Sequence, residues 1–191
     1  MRAALWGLGA GEVGLAALGF GWAWLRGIDL PLAFNFRYLP FAATVAAALS
    51  AVNLSLYHGL RRRWPSSREI VFLEEEVFPL FRGASIGQLA LLAAVAGIGE
   101  EVFFRGVLQK EIGILLASLL FGVAHGPTRA LMGLAAWAFS MGLGLGWLYR
   151  WSGTLMLPML VHALYDLAAL LYVRRLSTAD PGRAALEGGT R

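Results

Sequence analysis

In the C-terminal half of this sequence, six acidic, basic or histidine residues occur within stretches that are otherwise apolar. They form three groups along the chain: Glu100, Glu101 and Arg105; His125; and His162 with Asp166. A charged side chain at the centre of a membrane helix costs about 2.5–3.5 kcal/mol on insertion scales, so such residues indicate function. A carboxylate and a histidine can hold and deprotonate a water, and a second imidazole N–H can stabilise an oxyanion. The residue types therefore predict hydrolysis of an amide bond.

The same residue types also suit a metal ion, because two histidines and one or two carboxylates can bind Zn²⁺. The ligands would be Glu100, His125, His162 and Asp166. The sequence contains no HExxH, the motif that marks many zinc proteases. We therefore expect no cofactor, and a zinc-dependent form of the same hydrolysis stays open as an alternative.

Helical spacing sorts these side chains by face. Glu101 and Arg105 are four residues apart, so on a helix they share a face and can form an ion pair. Glu100 points to a different face of the same helix. His162 and Asp166 have the same four-residue spacing, so both can address one point in a helix bundle.

Composition indicates that the elements carrying these residues are membrane helices. The chain has 191 residues, of which 58% are hydrophobic and 15% are charged, and its mean hydropathy is +0.64. An ordinary soluble domain is about 25% charged. These values exclude a disordered protein and disfavour a soluble globule. The sequence has no cysteine, which excludes disulfides and thiolate metal ligands within it.

Long apolar runs with few charged residues locate the membrane spans, since about 20 residues cross a hydrocarbon core of roughly 30 Å. We predict an all-α, multi-pass membrane bundle of about six helices, near residues 3–25, 38–60, 87–109, 112–127, 130–149 and 155–173. Residues 1–176 are predicted to form a single integral-membrane domain. Residues 177–191 are predicted to form a disordered tail.

Residues 61–86 form the one sizeable loop between the predicted spans. Ser66 and Glu69 have the spacing of a capping box, and apolar residues follow at helical intervals. This pattern is typical of an interfacial helix that ends near Pro79. A solvated acidic loop stays open as the alternative.

The first span contains Gly9-Ala-Gly11-Glu-Val-Gly14, which has the GxGxxG spacing of a dinucleotide-binding turn. That turn requires alternating strands and helices, and the rest of the sequence predicts membrane helices instead. We interpret these glycines as small residues that let helices pack closely. Glu12, within the same run, has no predicted role.

The distribution of basic residues predicts the orientation in the cell membrane. With the N-terminus in the cytoplasm, the outer segments hold four basic residues: Arg26, Arg37, Lys110 and Arg150. Arg105 lies within a span, and the other eleven fall on the inner side. The positive-inside rule therefore places both termini in the cytoplasm. The net charge of +4 then reflects topology, so we expect the lipid bilayer and no nucleic acid as a partner.

These predicted spans place four ionisable residues at a similar depth. At a rise of 1.5 Å per residue, Glu100, Asp166 and the two histidines lie between about 15 and 24 Å from the outer helix ends. Residues from three helices thus share one layer in the middle to inner half of the membrane.

Three motifs occur in order on successive predicted helices: Glu100-Glu101-x-x-x-Arg105, Phe121-x-x-x-His125 and His162-x-x-x-Asp166. In this order they resemble the CPBP family of intramembrane proteases, also called the abortive-infection family. That family includes the type II CAAX prenyl endopeptidases and bacteriocin-processing or immunity proteins. The resemblance covers residues 85–173, under half of the chain.

The resemblance implies an endopeptidase that cuts membrane-anchored or prenylated-like peptides by a glutamate-dependent mechanism. The implied roles are water activation by Glu100 and His125, bracing of the site by Glu101 and Arg105, and an oxyanion hole formed by His162 and residue 166. The prenyl proteases typically have Asn at this last position, and an ionised Asp166 cannot donate a hydrogen bond. Either Asp166 is protonated, or it orients His162.

Two other classes of function stay open. A transporter or proton relay also uses membrane-embedded Glu, His and Asp residues. The paired broken helices and inverted repeat that typify transporters are not evident in the sequence. The other alternative is an immunity scaffold that retains the motifs without catalysis.

Overall fold

A computed structural model describes residues 2–179, and every regular element among them is helical. The numbered helices are α1 (Arg2–Arg26), α2 (Tyr38–Arg63), α3 (Arg68–Val71), α4 (Ile86–Glu100), α5 (Gln109–His125), α6 (Met132–Ser152) and α7 (Met156–Ala179). Wider π-helical turns cover Phe72–Val77 and Glu101–Leu108, and tighter 3₁₀ turns cover Phe78–Phe81 and Arg129–Leu131. The predicted all-α membrane bundle is confirmed.

Among the described residues, five helical stretches are long and apolar enough to cross a membrane. They are Ala4–Arg26, Tyr38–Arg63, Ile86–His125, Arg129–Ser152 and Met156–Leu176. The third stretch has 40 residues. A straight helix of that length would measure about 60 Å, roughly twice the thickness of the hydrocarbon core. It therefore contains two of the predicted helices.

A turn at Gly113 divides this 40-residue stretch into two arms. Gly113 has φ 83° and ψ 163°, a conformation that residues with a side chain avoid. On a straight helix, Glu100 and His125 would be about 37 Å apart. Their side chains instead approach to 3.8 Å, so the chain reverses at Gly113, nearly midway between them. The break predicted between residues 109 and 112 is thus displaced by a few residues.

The segment of residues 68–81 is helical, as predicted, but its N-cap is one residue later. The Ser67 hydroxyl accepts a hydrogen bond from the Ile70 N–H at 3.4 Å, so Ser66 was the wrong cap. Ser67 has the extended backbone that a capping residue needs. The segment continues to Phe81, just beyond Pro79, and both Ile70 and Phe81 are buried.

Helix α1 packs closely against α4 at a single glycine of α4. A Cβ atom added at Gly99 would lie 2.5 Å from the backbone oxygen of Glu12, so a side chain there would prevent the approach. Cβ atoms added at Gly9, Gly11 and Gly14 would meet nothing within 4 Å. The interpretation of the GxGxxG run as a close-packing surface is therefore wrong, because these three glycines lie away from the contact between the helices.

Large apolar side chains cover the outside of the bundle. Trp6, Leu91, Leu115 and Trp147 each expose more than half of their surface. Soluble proteins rarely expose apolar surface on this scale, whereas membrane proteins present it to lipid. The chain is therefore a membrane protein.

The C-terminal end of the predicted domain is only partly described. Helix α7 continues to Ala179, and residues 180–191 of the predicted tail lie outside the described residues. The domain boundary at residue 176 stays a prediction.

Candidate active site

Glu101 and Arg105 form the ion pair that their spacing predicts. The Arg105 Nη1 and Glu101 Oε1 atoms are 2.8 Å apart, and both side chains are buried. The guanidinium also lies over the Phe121 ring, 4.3 Å from its centroid. Separating the pair would leave an uncompensated charge in a low-dielectric interior, so the pair holds its geometry firmly. It is therefore suited to keep Glu101 in place.

His162 lies among three carboxyl groups. Its Nδ1 atom is 2.8 Å from Glu101 Oε1, and because a carboxylate only accepts, Nδ1–H donates this hydrogen bond. Its Nε2 atom is 3.6 Å from Glu100 Oε2 and 3.6 Å from Asp166 Oδ2. The adjacent Glu100 and Glu101 thus contact opposite nitrogens of one ring, an arrangement that spacing alone did not predict.

His125 presents its other ring nitrogen to Glu100. The His125 Nδ1 atom is 2.9 Å from the carbonyl oxygen of Phe121, so Nδ1 carries the hydrogen and donates it. In the neutral ring, Nε2 is then an acceptor, and it lies 3.8 Å from Glu100 Oε1. The Phe121 ring lies against the imidazole, with centroids 4.5 Å apart. Phe121 therefore positions His125 through both its backbone and its ring.

Glu100 lies at the centre of the resulting cluster. Each of its carboxylate oxygens faces the Nε2 atom of a different histidine, one from α5 and one from α7. The π-helical stretch of residues 101–108 begins at the next residue, and such stretches occur frequently at functional sites. The structure brings together all six residues singled out from the sequence: Glu100, Glu101, Arg105, His125, His162 and Asp166.

A cavity of about 420 Å³ opens onto this cluster. Glu100, His125 and Asp166 line it, and most of its remaining wall is apolar. The buried Glu101, Arg105 and His162 are not part of the lining, although His162 Nε2 lies 3.6 Å from the lining residue Asp166. A volume of a few hundred cubic ångströms with few polar groups is typical of a small-ligand site. The cavity therefore separates groups that a substrate can touch from the ion pair behind them.

Two polar residues of the cavity wall had no predicted role. Glu12 lies on α1 and Asn53 on α2, and both line the cavity. Trp137 and Tyr165 also line it, and the Trp137 indole N–H donates to the Tyr165 hydroxyl at 3.0 Å. The rule that singled out Glu100, an ionisable residue inside an apolar span, applies equally to Glu12. Asn53 carries no charge and gives no such signal in the sequence.

The donor groups of the cluster do not match a metal site. Within residues 2–179, no group of three or more His, Asp or Glu side chains is arranged to hold a metal ion. Zinc sites in catalysis use three protein ligands that converge on one point. We therefore derive no catalytic step through a metal.

Comparison with known proteins shows that the segment carrying this cluster is similar to a described family. Residues 82–168 match the family described as type II CAAX prenyl endopeptidase Rce1-like. All six residues of the cluster lie within that range. The family resemblance predicted from the sequence is confirmed. We call residues 82–168 the Rce1-like segment, and helices α1 and α2 lie outside it.

One relative of this chain is the uncharacterized protein YpbD of Bacillus subtilis (strain 168). The two sequences are 35% identical over 97 residues, which is 50% of this chain and 50% of the relative. The matching part of this chain thus spans about half the length of the relative. No solved structure matches the chain.

Proposed function

We propose that this protein is an intramembrane endopeptidase that hydrolyses peptide bonds of membrane-associated substrates. The observation that carries the proposal is the position of Glu100, whose two oxygens face the Nε2 atoms of His125 and His162 at 3.8 and 3.6 Å. Such separations exceed a direct hydrogen bond and suit a water shared between carboxylate and imidazole. The match to an endopeptidase family supports the same reaction.

In the first step, a water lies between Glu100 Oε1 and His125 Nε2 and donates a hydrogen to each. Glu100 removes one proton as the water oxygen bonds to the peptide carbonyl carbon, and the carbonyl π electrons move to the carbonyl oxygen. The proton on Glu100 then passes to the amide nitrogen as the C–N bond breaks. The two steps add one water across the peptide bond and return Glu100 to its starting form.

His162 stabilises the oxyanion of the tetrahedral intermediate, and Asp166 orients its ring. Nδ1–H of His162 is engaged with Glu101, so the ring donates to the oxyanion through a hydrogen on Nε2. The surrounding carboxyl groups compensate the positive charge of this doubly protonated ring. Asp166, 3.6 Å from Nε2, orients the ring rather than donating a hydrogen bond itself.

The substrate is a membrane-anchored or prenylated-like peptide, and the protein lies in the cell membrane with both termini in the cytoplasm. The apolar cavity wall suits a lipid-associated peptide, and the excess of basic residues on one side supports the orientation. Because the sequence has no cysteine, a single cysteine introduced in the loop of residues 27–37 or 61–67 can be labelled with an impermeant maleimide in intact cells. Labelling of the first loop only is expected, and labelling of the second only would reverse the orientation.

Cleavage of a library of membrane-anchored reporter peptides in liposomes tests the catalytic proposal. Glu100→Gln and His125→Ala should each lower kcat by about 10²-fold or more, since general-base catalysis contributes about 10²–10⁴-fold. Glu111→Gln is the matched control, because Glu111 pairs with Arg26 at 3.1 Å, away from the cavity. Equal activity of wild type, Glu100→Gln and His125→Ala would refute the proposal. A wild type that cleaves no reporter would favour the immunity scaffold.

Metal analysis separates the metal-free mechanism from a zinc-dependent one. We expect the active, purified protein to contain no stoichiometric zinc and to keep its activity in a chelator. Stoichiometric zinc that leaves together with the activity, and restores it on return, would overturn the metal-free mechanism.

A further inference from the structure

Glu12 is a carboxyl group in the cavity wall to which the mechanism above gives no role. It lies on α1, outside the Rce1-like segment, and lines the same cavity as Glu100 and Asp166. The charged side chains that act on it electrostatically are Glu100, His162 and Asp166. Ionisable residues within membrane spans are costly and mark functional sites.

Close helix packing brings Glu12 beside the catalytic segment. A Cβ atom added at Gly99, the residue before Glu100, would lie 3.4 Å from the Oε2 atom of Glu12. The lack of a side chain at Gly99 therefore lets α1 approach α4 at the level of Glu100. Glu12 and Glu100 belong to different helices but line the same cavity.

Glu12 and Glu100 each have a carboxylate oxygen that lacks a hydrogen-bond donor. The Oε2 atoms of Glu12 and Glu100 are both inaccessible to solvent, and neither has a hydrogen-bond partner among the described residues. Buried polar atoms in proteins are nearly always hydrogen-bonded. Two carboxylates cannot donate to each other, whereas one buried water has two hydrogens and can donate to both.

We propose that Glu12 is a positioning residue for the catalytic base: a buried water donates one hydrogen to Glu12 Oε2 and the other to Glu100 Oε2. This inference rests on the proposed function of Glu100. The bridging water does not react. It holds the Glu100 carboxylate from behind, so that Oε1 stays directed at His125 Nε2 and at the water that attacks the peptide. Helix α1 thereby completes the active site of the Rce1-like segment.

Substitution of Glu12 tests whether this residue positions the Glu100 carboxylate or only fills space between the helices. Glu12→Leu removes the acceptor but keeps the approximate volume, and it should lower kcat by about 10²-fold with KM little changed, because small misplacements at a reacting centre have effects of that size. Glu12→Gln keeps an oxygen acceptor and should retain most of the wild-type kcat. Glu111→Leu, the same change outside the cavity, should leave kcat unaltered. Wild-type kcat in Glu12→Leu, or equal losses in the Leu and Gln variants, would overturn the inference.

A second measurement does not depend on activity. An experimental structure of the wild type in lipid, at a resolution that shows waters, should contain one water within about 3.2 Å of both Oε2 atoms. A structure in which no water contacts both oxygens would overturn the inference, even where Glu12→Leu fails to fold. If the structure contains the bridging water but the protein cleaves no reporter, the proposed function of Glu100 is contradicted, whereas the contact of Glu12 and Glu100 through the water is not.

Discussion

Arg105→Met would remove the guanidinium that pairs with the Glu101 carboxylate in the interior of the bundle and leave His162 as its remaining partner. The 2.8 Å separation of Nη1 and Oε1 corresponds to about 6 kcal/mol of attraction at an effective dielectric constant of about 20. Desolvation offsets part of this attraction, and breaking a buried pair typically costs about 3–5 kcal/mol. We therefore expect the free energy of unfolding to fall by about 3–5 kcal/mol.

Adding Glu101→Gln to Arg105→Met tests whether the buried charge of Glu101 causes the loss of stability. The double variant has no buried charge at these positions, and the amide oxygen that replaces the Glu101 carboxylate would still accept the Nδ1–H of His162. Replacing both partners of a buried pair by uncharged groups is often neutral, so the double variant should recover most of the lost stability. Denaturant titration in detergent micelles, followed by tryptophan fluorescence and circular dichroism, measures the difference.

A small effect would refute this reasoning about the buried pair. A loss below about 1 kcal/mol in Arg105→Met, the range of exposed ion pairs, would show that the charge is not held in a low-dielectric interior. A double variant no more stable than Arg105→Met would show that lost packing, rather than charge, dominates. Arg26→Met breaks the exposed pair with Glu111 and should leave the stability close to that of the wild type.

Three further changes test the turn, a helix cap and the oxyanion hole. Gly113→Ala should destabilise the protein by about 1–3 kcal/mol, because alanine is strained at φ 83°, and should lower kcat by spreading the two arms of the hairpin. Ser85→Ala should cost about 1 kcal/mol in denaturant titrations, since Ser85 forms the capping box that begins α4. Asp166→Asn should keep activity in the liposome assay, because the amide oxygen can still accept a hydrogen bond from His162 and orient its ring, whereas Asp166→Leu has no acceptor and should lower kcat.

Matched variants make these three tests decisive. Gly144→Ala, in α6 with open space around the added methyl group, should be neutral or slightly stabilising. Equal unfolding free energies for Gly113→Ala and Gly144→Ala would contradict the requirement for glycine at the Gly113 turn. Wild-type stability in Ser85→Ala would show that the Ser85 capping box does not stabilise α4. An Asp166→Asn variant as inactive as Asp166→Leu would contradict the assigned hydrogen-bonding role.

Short-range features of the structure could be predicted because they depend on residues close together in the chain. Glu101 and Arg105 pair at the four-residue spacing of a helix, and this contact requires no knowledge of the other helices. The break between two spans was predicted from charges near residue 110, but the turn occurs at Gly113. A glycine turn is set by backbone conformation, which hydropathy does not report.

Contacts between distant segments could not be predicted in the same way. Helical spacing placed Glu100 and Glu101 on different faces, and only the position of α7 shows that both reach the ring of His162. Glu12 carried the same signal as Glu100, an ionisable residue in an apolar span, but no partner was evident within its own helix. Its closest approach is to Gly99 of α4, which packs against α1 only in the folded bundle.

The sequence by itself determined which segments enter the membrane and which ionisable residues enter with them. The free energy of transfer into lipid depends mainly on residue type and segment length, and both are explicit in the chain. Only the tertiary structure decided that Glu100 faces two histidines and that Glu12 lines the same cavity. Those contacts depend on the reversal at Gly113 and on the close approach at Gly99, because packing between helices is set by the fit of side chains from distant parts of the chain.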